Sequence, residues 1–375
     1  MLGNTERPGG ERGARAADPD LVRVLDDEGR AMRKPVLPIE RRLALYEAMV
    51  RSRRLDERLE RVQRQGRIGF HIGSQGEEAA VLGVAEALAP EDWIAPCYRE
   101  VAALLHRGFP LEAHLDNVFG NADDPNVGRQ MPVHFASRAH RCLSVSAPIG
   151  TQLPHAVGLA YAMKLRGEHA AVAAFFGDGA TSSQGFHDAM TFAGVMKVGV
   201  AFFCRNNGWA ISLPAHEQCA ARALADKAVG YGIPAVRCDG NDLLAVFEVA
   251  SRALDTARRG GGPTFVELLT YRAGPHSTSD DPTRYRDPDE VSRWAARDPI
   301  TRLRKHLERE DAWDIDREAA LLARVDAELK EAIARAEKKP RPSVASLFDD
   351  VYAEPTEALL AQKREALALD EGGEG

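Results

Sequence analysis

No apolar run in this 375-residue chain approaches the roughly twenty residues that a membrane-spanning helix needs. Its five cysteines (Cys97, Cys142, Cys204, Cys219 and Cys238) are scattered and form no C-x-x-C pair. That pattern argues against a disulfide framework or a zinc site and fits reduced thiols. Basic residues are not in excess: 49 Lys and Arg face 56 Asp and Glu, a net charge of −7, so no footprint for nucleic acid or an anionic membrane is present. The N-terminus has no apolar stretch and carries Glu6, Glu11, Asp18 and Asp20, which argues against a signal or transit peptide. A cytoplasmic location is the resulting expectation. With 44% hydrophobic residues the chain can bury a large core.

What is present centres on residues 171–213, AVAAFFGDGATSSQGFHDAMTFAGVMKVGVAFFCRNNGWAISL. Two short apolar runs, Ala171–Phe176 and Val198–Cys204, have the length and composition of strands buried on both faces. The first ends in Gly177-Asp178-Gly179, the second in Arg205-Asn206-Asn207-Gly208. Between them Thr181-Ser182-Ser183 offers helix caps, and Phe186, Met190 and Ala193 recur at helical spacing. The stretch reads as strand, helix, strand: one right-handed crossover of a parallel sheet, whose ligands bind beyond the carboxyl ends of its strands. Asp178 supplies a hard carboxylate oxygen there and Asn207 an amide oxygen, while the glycines let backbone N–H groups approach an anion. Oxygen ligands completed by phosphate oxygens form the magnesium pattern. GDG alone is more often a plain turn; its pairing with NNG on the next strand makes it specific.

Residues 1–38 are rich in Gly, Arg and Asp and read as a flexible arm, and a long amphipathic helix is expected over Arg41–Gln65. Gly76-Glu77-Glu78 opens a second helix, where glutamates serve as partners for the helix dipole. A helix over Leu153–Lys164 follows, with Thr151 as its cap. Ile233–Cys238 and Pro263–Tyr271 are further strands around a helix over Leu243–Arg258. The alternation gives an α/β class: a doubly wound, mostly parallel sheet with helices on both faces. One domain is expected over 39–340, followed by a C-terminal extension over 341–375. The polar loop Arg272–Arg286 looks solvated by composition, yet it follows the carboxyl end of a strand.

GDG followed by NN about thirty residues on resembles the thiamine diphosphate motif. FFGDGATSSQGFHDAMTFA…FFCRNNGWAIS, GRQMPVH and the HSTSDD…YR loop together resemble the alpha subunits of branched-chain 2-oxo acid dehydrogenase decarboxylating components, from about residue 40 to 360. The resemblance implies the thiamine diphosphate-binding fold and oxidative decarboxylation of branched-chain 2-oxo acids. It also implies acyl transfer to a lipoyl-bearing acyltransferase and an α2β2 heterotetramer whose beta subunit supplies a catalytic carboxylate. It assigns Mg2+ to Asp178, Asn207 and the carbonyl of Trp209. The cofactor falls to Tyr98, Arg99, Ala147, Ile149, Gly177, Asp178, Gly179, Ala180, Arg205, Asn207, Trp209 and His276. Among these, Tyr98 and His276 line the reacting end. In some members Ser146, Pro148, Thr151 and Gln152 match a potassium site and Ser277 a phosphorylated serine. Two positions depart from the branched-chain pattern, Cys97 for a usual Gln and Ala147 for a frequent Ser. Pyruvate or acetoin as substrate, a non-catalytic partner-binding subunit on the same fold, and a magnesium phosphotransferase are the competing readings. For Arg99 the bland alternative is a surface ion pair with Glu100.

Overall fold

Six parallel strands form the central sheet of the computed structural model, which describes residues 20–372. In chain order the strands are β1 (Leu21–Val22), β2 (Trp93–Ala95), β3 (Val172–Gly177), β4 (Val200–Asn206), then a two-strand hairpin of β5 (Trp209–Ala210) and β6 (Leu213–Pro214), and finally β7 (Ala235–Asp239) and β8 (Thr264–Leu269). The sheet order is β1-β7-β8-β4-β3-β2. The helices before the sheet's centre are α1 (Ile39–Arg64), α2 (Glu78–Ala87), α3 (Val101–His106) and α4 (Leu111–Phe119). Then come α5 (Gln152–Leu165), α6 (Gln184–Met196), the single turns α7 (Ala215–Gln218) and α8 (Asp226–Val229), and α9 (Leu243–Arg258). Among the described residues, no helix is long and apolar enough to cross a membrane.

Strand order explains the layers. From β2 through β3 and β4 to β7 the chain moves one way across the sheet, and right-handed crossovers place α5, α6 and α8 on one face. From β7 to β8 it steps back, so the same handedness puts α9 on the other face, with α1 and α2. The central strands feed both cores because alternate side chains point opposite ways. Ala173, Phe175, Ala201, Phe203 and Val266 join the α1, α2 and α9 core. Val172, Ala174, Phe176, Val200, Phe202 and Phe265 join the other. The doubly wound reading therefore holds.

The structure revises three local expectations. The first 19 residues of the expected arm lie outside the described residues, but from Leu21 the chain adds an edge strand, with Leu21 opposite Arg237 and Val22 opposite Cys238. Val24 and Leu25 are buried, and their backbone N–H groups donate to Asp242 Oδ2 at 2.6 and 2.7 Å. The same carboxylate caps α9 through Oδ1. A polar composition hid this short apolar strand. Second, Thr151 does not cap α5; its hydroxyl donates to the Pro148 carbonyl at 2.9 Å, because its backbone is already helical. Third, the loop after β8 is fastened rather than loose: Thr278 N donates to His71 O (3.0 Å), His71 N donates to Thr278 Oγ1 (3.1 Å), and Ser277 is buried. Ser183, by contrast, caps α6 as the sequence suggests, accepting from Phe186 N.

One buried histidine should make the fold acid-sensitive. His114 on α4 is fully buried, and neither ring nitrogen has a protein partner. Burial first, then the neighbouring His71, pushes its pKa down to about 3. In the unfolded chain the ring takes up a proton near its ordinary value of 6.5. Stability is thus whole above 6.5 and declines as pH falls from there toward 3, by about 1.4 kcal/mol per pH unit from this group. Melting temperatures recorded between pH 7 and 5 should drop, and His114→Leu should shallow the slope. Equal slopes in the two proteins would remove His114 as the cause.

Candidate active site at the strand ends

The ends of β3 and β4 carry the two residues around which the site is assembled. Their register sets Gly177 opposite Arg205, so Asp178 and Asn207 follow from adjacent, in-line strand tips. After β3 the chain turns at once into a 3-10 helix, Asp178–Ser182, and after Asn207 the β5–β6 hairpin folds back against it. A Cβ built on Gly179 would lie 3.0 Å from that of Ala210, so the small residue lets the turn and hairpin meet.

Asp178 is buried, and its Oδ2 has no hydrogen-bond partner. Burial pushes its carboxyl up to about 7. An acid held this way is suited to a cation that would offset the cost of desolvating it. Asn207 Oδ1 accepts from Trp209 N (3.1 Å) and Nδ2 donates to Glu77 Oε1 (2.8 Å). The Trp209 carbonyl accepts from Arg272 Nη1 at 3.2 Å, which leaves it a second lone pair.

Glu77, read from the sequence as a dipole partner, is the organising carboxylate. It precedes α2, is 1% exposed, and also accepts from Arg205 Nη1 at 3.0 Å, with Arg99 Nε 3.8 Å from its Oε1. Gly76 makes this possible: a Cβ there would stand 2.2 Å from the Tyr271 carbonyl, so only glycine lets α2 start beside the end of β8. Glu78 instead pairs with Arg53 of α1. No local pattern marks Glu77 as different from Glu78, since its hydrogen-bond partners Arg205 and Asn207 lie 128 and 130 residues away.

Arg205 is held between Glu77 and Glu100, and Glu100 also accepts from Cys97 N at 2.8 Å. The surface pair of Arg99 with Glu100 therefore does not form. Arg99 is buried and donates to the carbonyls of Gly73 and His276, the latter at 2.9 Å. Its Nη2 also lies 3.2 Å from His276 Nδ1. A guanidinium only donates, so Nδ1 accepts and the ring proton sits on Nε2. Burial, then the charges of Arg99 and Arg272, pushes His276 down to about 4, so the ring is neutral at pH 7. Tyr98 meets it edge-on, with ring centroids 6.1 Å apart. The loop carrying His276 is latched by Asp280, whose Oδ2 accepts from His276 N (2.7 Å) and Tyr285 OH (2.6 Å).

Other sequence-derived positions surround this cluster. Gly177 and Ala180 flank Asp178 in β3 and the turn, with Ala180 buried. Ala147 and Ile149 are exposed ahead of α5, Ile149 by 47%. Of the potassium set, Thr151 Oγ1 and the Pro148 carbonyl are brought together, Ser146 is half-buried beside them in sequence, and Gln152 Nε2 donates to Phe175 O at 2.8 Å. Gln152 thus spends its amide nitrogen on the sheet.

The dehydrogenase E1 component family model matches residues 46–345. The chain is 42% identical over 334 residues to 2-oxoisovalerate dehydrogenase subunit alpha 1, mitochondrial, of Arabidopsis thaliana, spanning 88% of this chain and 71% of that one. It is 40% identical over 352 residues to the mitochondrial 2-oxoisovalerate dehydrogenase subunit alpha of Homo sapiens, spanning 93% and 79%. The Dictyostelium discoideum counterpart is 40% identical over 349 residues, spanning 92% and 79%. All three are mitochondrial proteins, which overturns the cytoplasmic expectation. Thiol usage and net charge report redox state and affinity for polyanions, and they do not specify an address.

Proposed function

The chain belongs to the dehydrogenase E1 component family, and on that premise we propose that it is the alpha subunit of a branched-chain 2-oxo acid dehydrogenase. Its reaction is thiamine diphosphate-dependent oxidative decarboxylation of branched-chain 2-oxo acids, with the acyl group passed to a lipoyl group on a partner acyltransferase. The observation that carries the reading is the orphaned, buried Oδ2 of Asp178 at a strand tip adjoining Asn207. Family membership implies dependence on thiamine diphosphate and magnesium.

Asp178, Asn207 and the Trp209 carbonyl would hold Mg2+ through oxygen atoms, with Gly177, Gly179 and Ala180 keeping the approach narrow. Arg99, with Tyr98 and Arg205, would hold the diphosphate, the two guanidiniums being fixed by Glu77 and Glu100. Thiamine diphosphate supplies the electron sink that no side chain can provide. His276 carries its proton on Nε2 and is neutral at working pH, so it can donate a hydrogen bond to a substrate oxygen as charge develops there. Ala147 and Ile149 lie on an exposed turn where the cofactor rings and a partner chain would cover them. Potassium at Ser146, Pro148, Thr151 and Gln152, and phosphorylation of Ser277, remain part of the proposal. Ser277 stands on the latched loop, so a phosphate there would add charge next to the His276 segment.

The site is half of what the reaction needs, since the carboxylate that faces the aminopyrimidine belongs to a beta subunit in an α2β2 assembly. Purified alone, the chain should give no turnover of 3-methyl-2-oxobutanoate; co-purified with its beta partner, it should release CO2 in a thiamine diphosphate- and magnesium-dependent assay. Equal turnover without a beta chain would defeat the proposal.

A further inference from the structure

We infer that Glu77 is a positioning residue for the cation, fixing the Asn207 amide so that its oxygen, and not its NH2, is left for the metal. The inference rests on the proposed magnesium site. A side-chain amide can sit either way round, and only one of its ends can bind a cation. Two neighbours choose the same orientation here. The Glu77 carboxylate can only accept, and it takes Nδ2 at 2.8 Å. The Trp209 N–H can only donate, and it takes Oδ1 at 3.1 Å. Glu77 itself has no room to turn: it is 1% exposed, precedes α2 at its N-terminus, and its second oxygen is held by Arg205 Nη1 at 3.0 Å. Arg205 is fixed in turn by Glu100. Nothing in the family-derived ligand set requires Glu77.

An exchange of donor and acceptor tests this. In Glu77→Gln both neighbours are still donors, but the new side chain has one acceptor oxygen. The guanidinium holds that oxygen, the new NH2 faces Asn207, and the amide turns over to present NH2 to the cation. Partners that orient a metal ligand are typically worth 10–100-fold in affinity. Mn2+ binding, read from the EPR signal of the free ion with thiamine diphosphate present, on the full chain co-purified with its beta subunit, should weaken by about that factor in E77Q. Adding Asn207→Asp reverses the pairing: the carboxylate accepts from the introduced glutamine and offers the metal an oxygen either way round. The E77Q/N207D protein should bind Mn2+ within about tenfold of wild type, better than E77Q.

A merely structural role would lower the melting temperature of E77Q without this recovery. Wild-type affinity in folded E77Q would overturn the inference, as would a folded double variant no better than E77Q. If E77Q fails to fold, the double variant decides alone: bound Mn2+ supports the role and its absence overturns it. Wild-type protein that binds no Mn2+ with thiamine diphosphate would sink the magnesium site itself, and Glu77 with it.

Discussion

Replacing Asp178 with alanine should abolish magnesium-dependent binding of thiamine diphosphate at ordinary concentrations. This residue is the one carboxylate in the proposed ligand set; Asn207 and Trp209 contribute only dipoles. A unit charge a few ångströms from a cation is worth about 4 kcal/mol at an effective dielectric near 20, on the order of a thousandfold in affinity. Burial keeps solvent from screening that interaction. The fold should survive the change. The Asp178 carboxylate is buried with its Oδ2 unpartnered and only backbone N–H groups of its own turn as donors, so removing it takes away a desolvated acid that holds no other side chain in place. Asp178→Asn keeps one oxygen and loses the charge, and it should fall between wild type and alanine. Calorimetric titration with thiamine diphosphate, with and without Mg2+, separates these cases. Unchanged affinity in Asp178→Ala would take the metal away from this strand tip.

Histidine 276 should behave in the opposite way. His276→Ala is expected to lower kcat by about 10²–10³, the usual range for a positioned hydrogen-bond donor to a developing negative charge, while cofactor affinity changes only a few-fold. The reason is its place in the site. It lies outside the proposed metal set, and Arg99 keeps the carbonyls of Gly73 and residue 276 when the ring is lost. A steady-state assay on the reconstituted complex, run beside the cofactor titration, reads both quantities. The wild-type ring is held down to about 4 by burial and by the flanking guanidiniums, so no group at residue 276 should shape the rate between pH 6 and 8. Loss of affinity matching the loss of rate would make His276 a binding residue only.

The features legible in the sequence were those whose signal is local. Two apolar runs ending in GDG and NNG predicted β3 and β4, and the structure joins them in register. The face of Leu43, Leu45, Met49, Leu55, Leu59 and Val62 predicted α1 to within two residues at its start, and all of it but the half-buried Leu43 is buried in the core. Ser183 stood where a cap belongs and serves as one. The misread features depend on distant partners. Glu77 and Glu78 are indistinguishable as helix-start acids; only the fold sends one to Asn207 and the other to Arg53. The surface pair of Arg99 with Glu100, an alternative that the sequence reading set aside, does not form, because that acid belongs to Arg205. The Leu21–Val22 strand is too short and too polar in its flanks to announce itself, and it exists because β7 offers an unpaired edge.

That edge strand has a consequence for how the molecule comes apart. One carboxylate, Asp242, ties together the chain's opening segment and the first turn of α9, while Leu21 and Val22 zip onto β7. These pieces share a fastening, so they should not fray separately. They form a single cooperative margin, and amide protons at residues 22–25 should exchange in step with those of the α9 start.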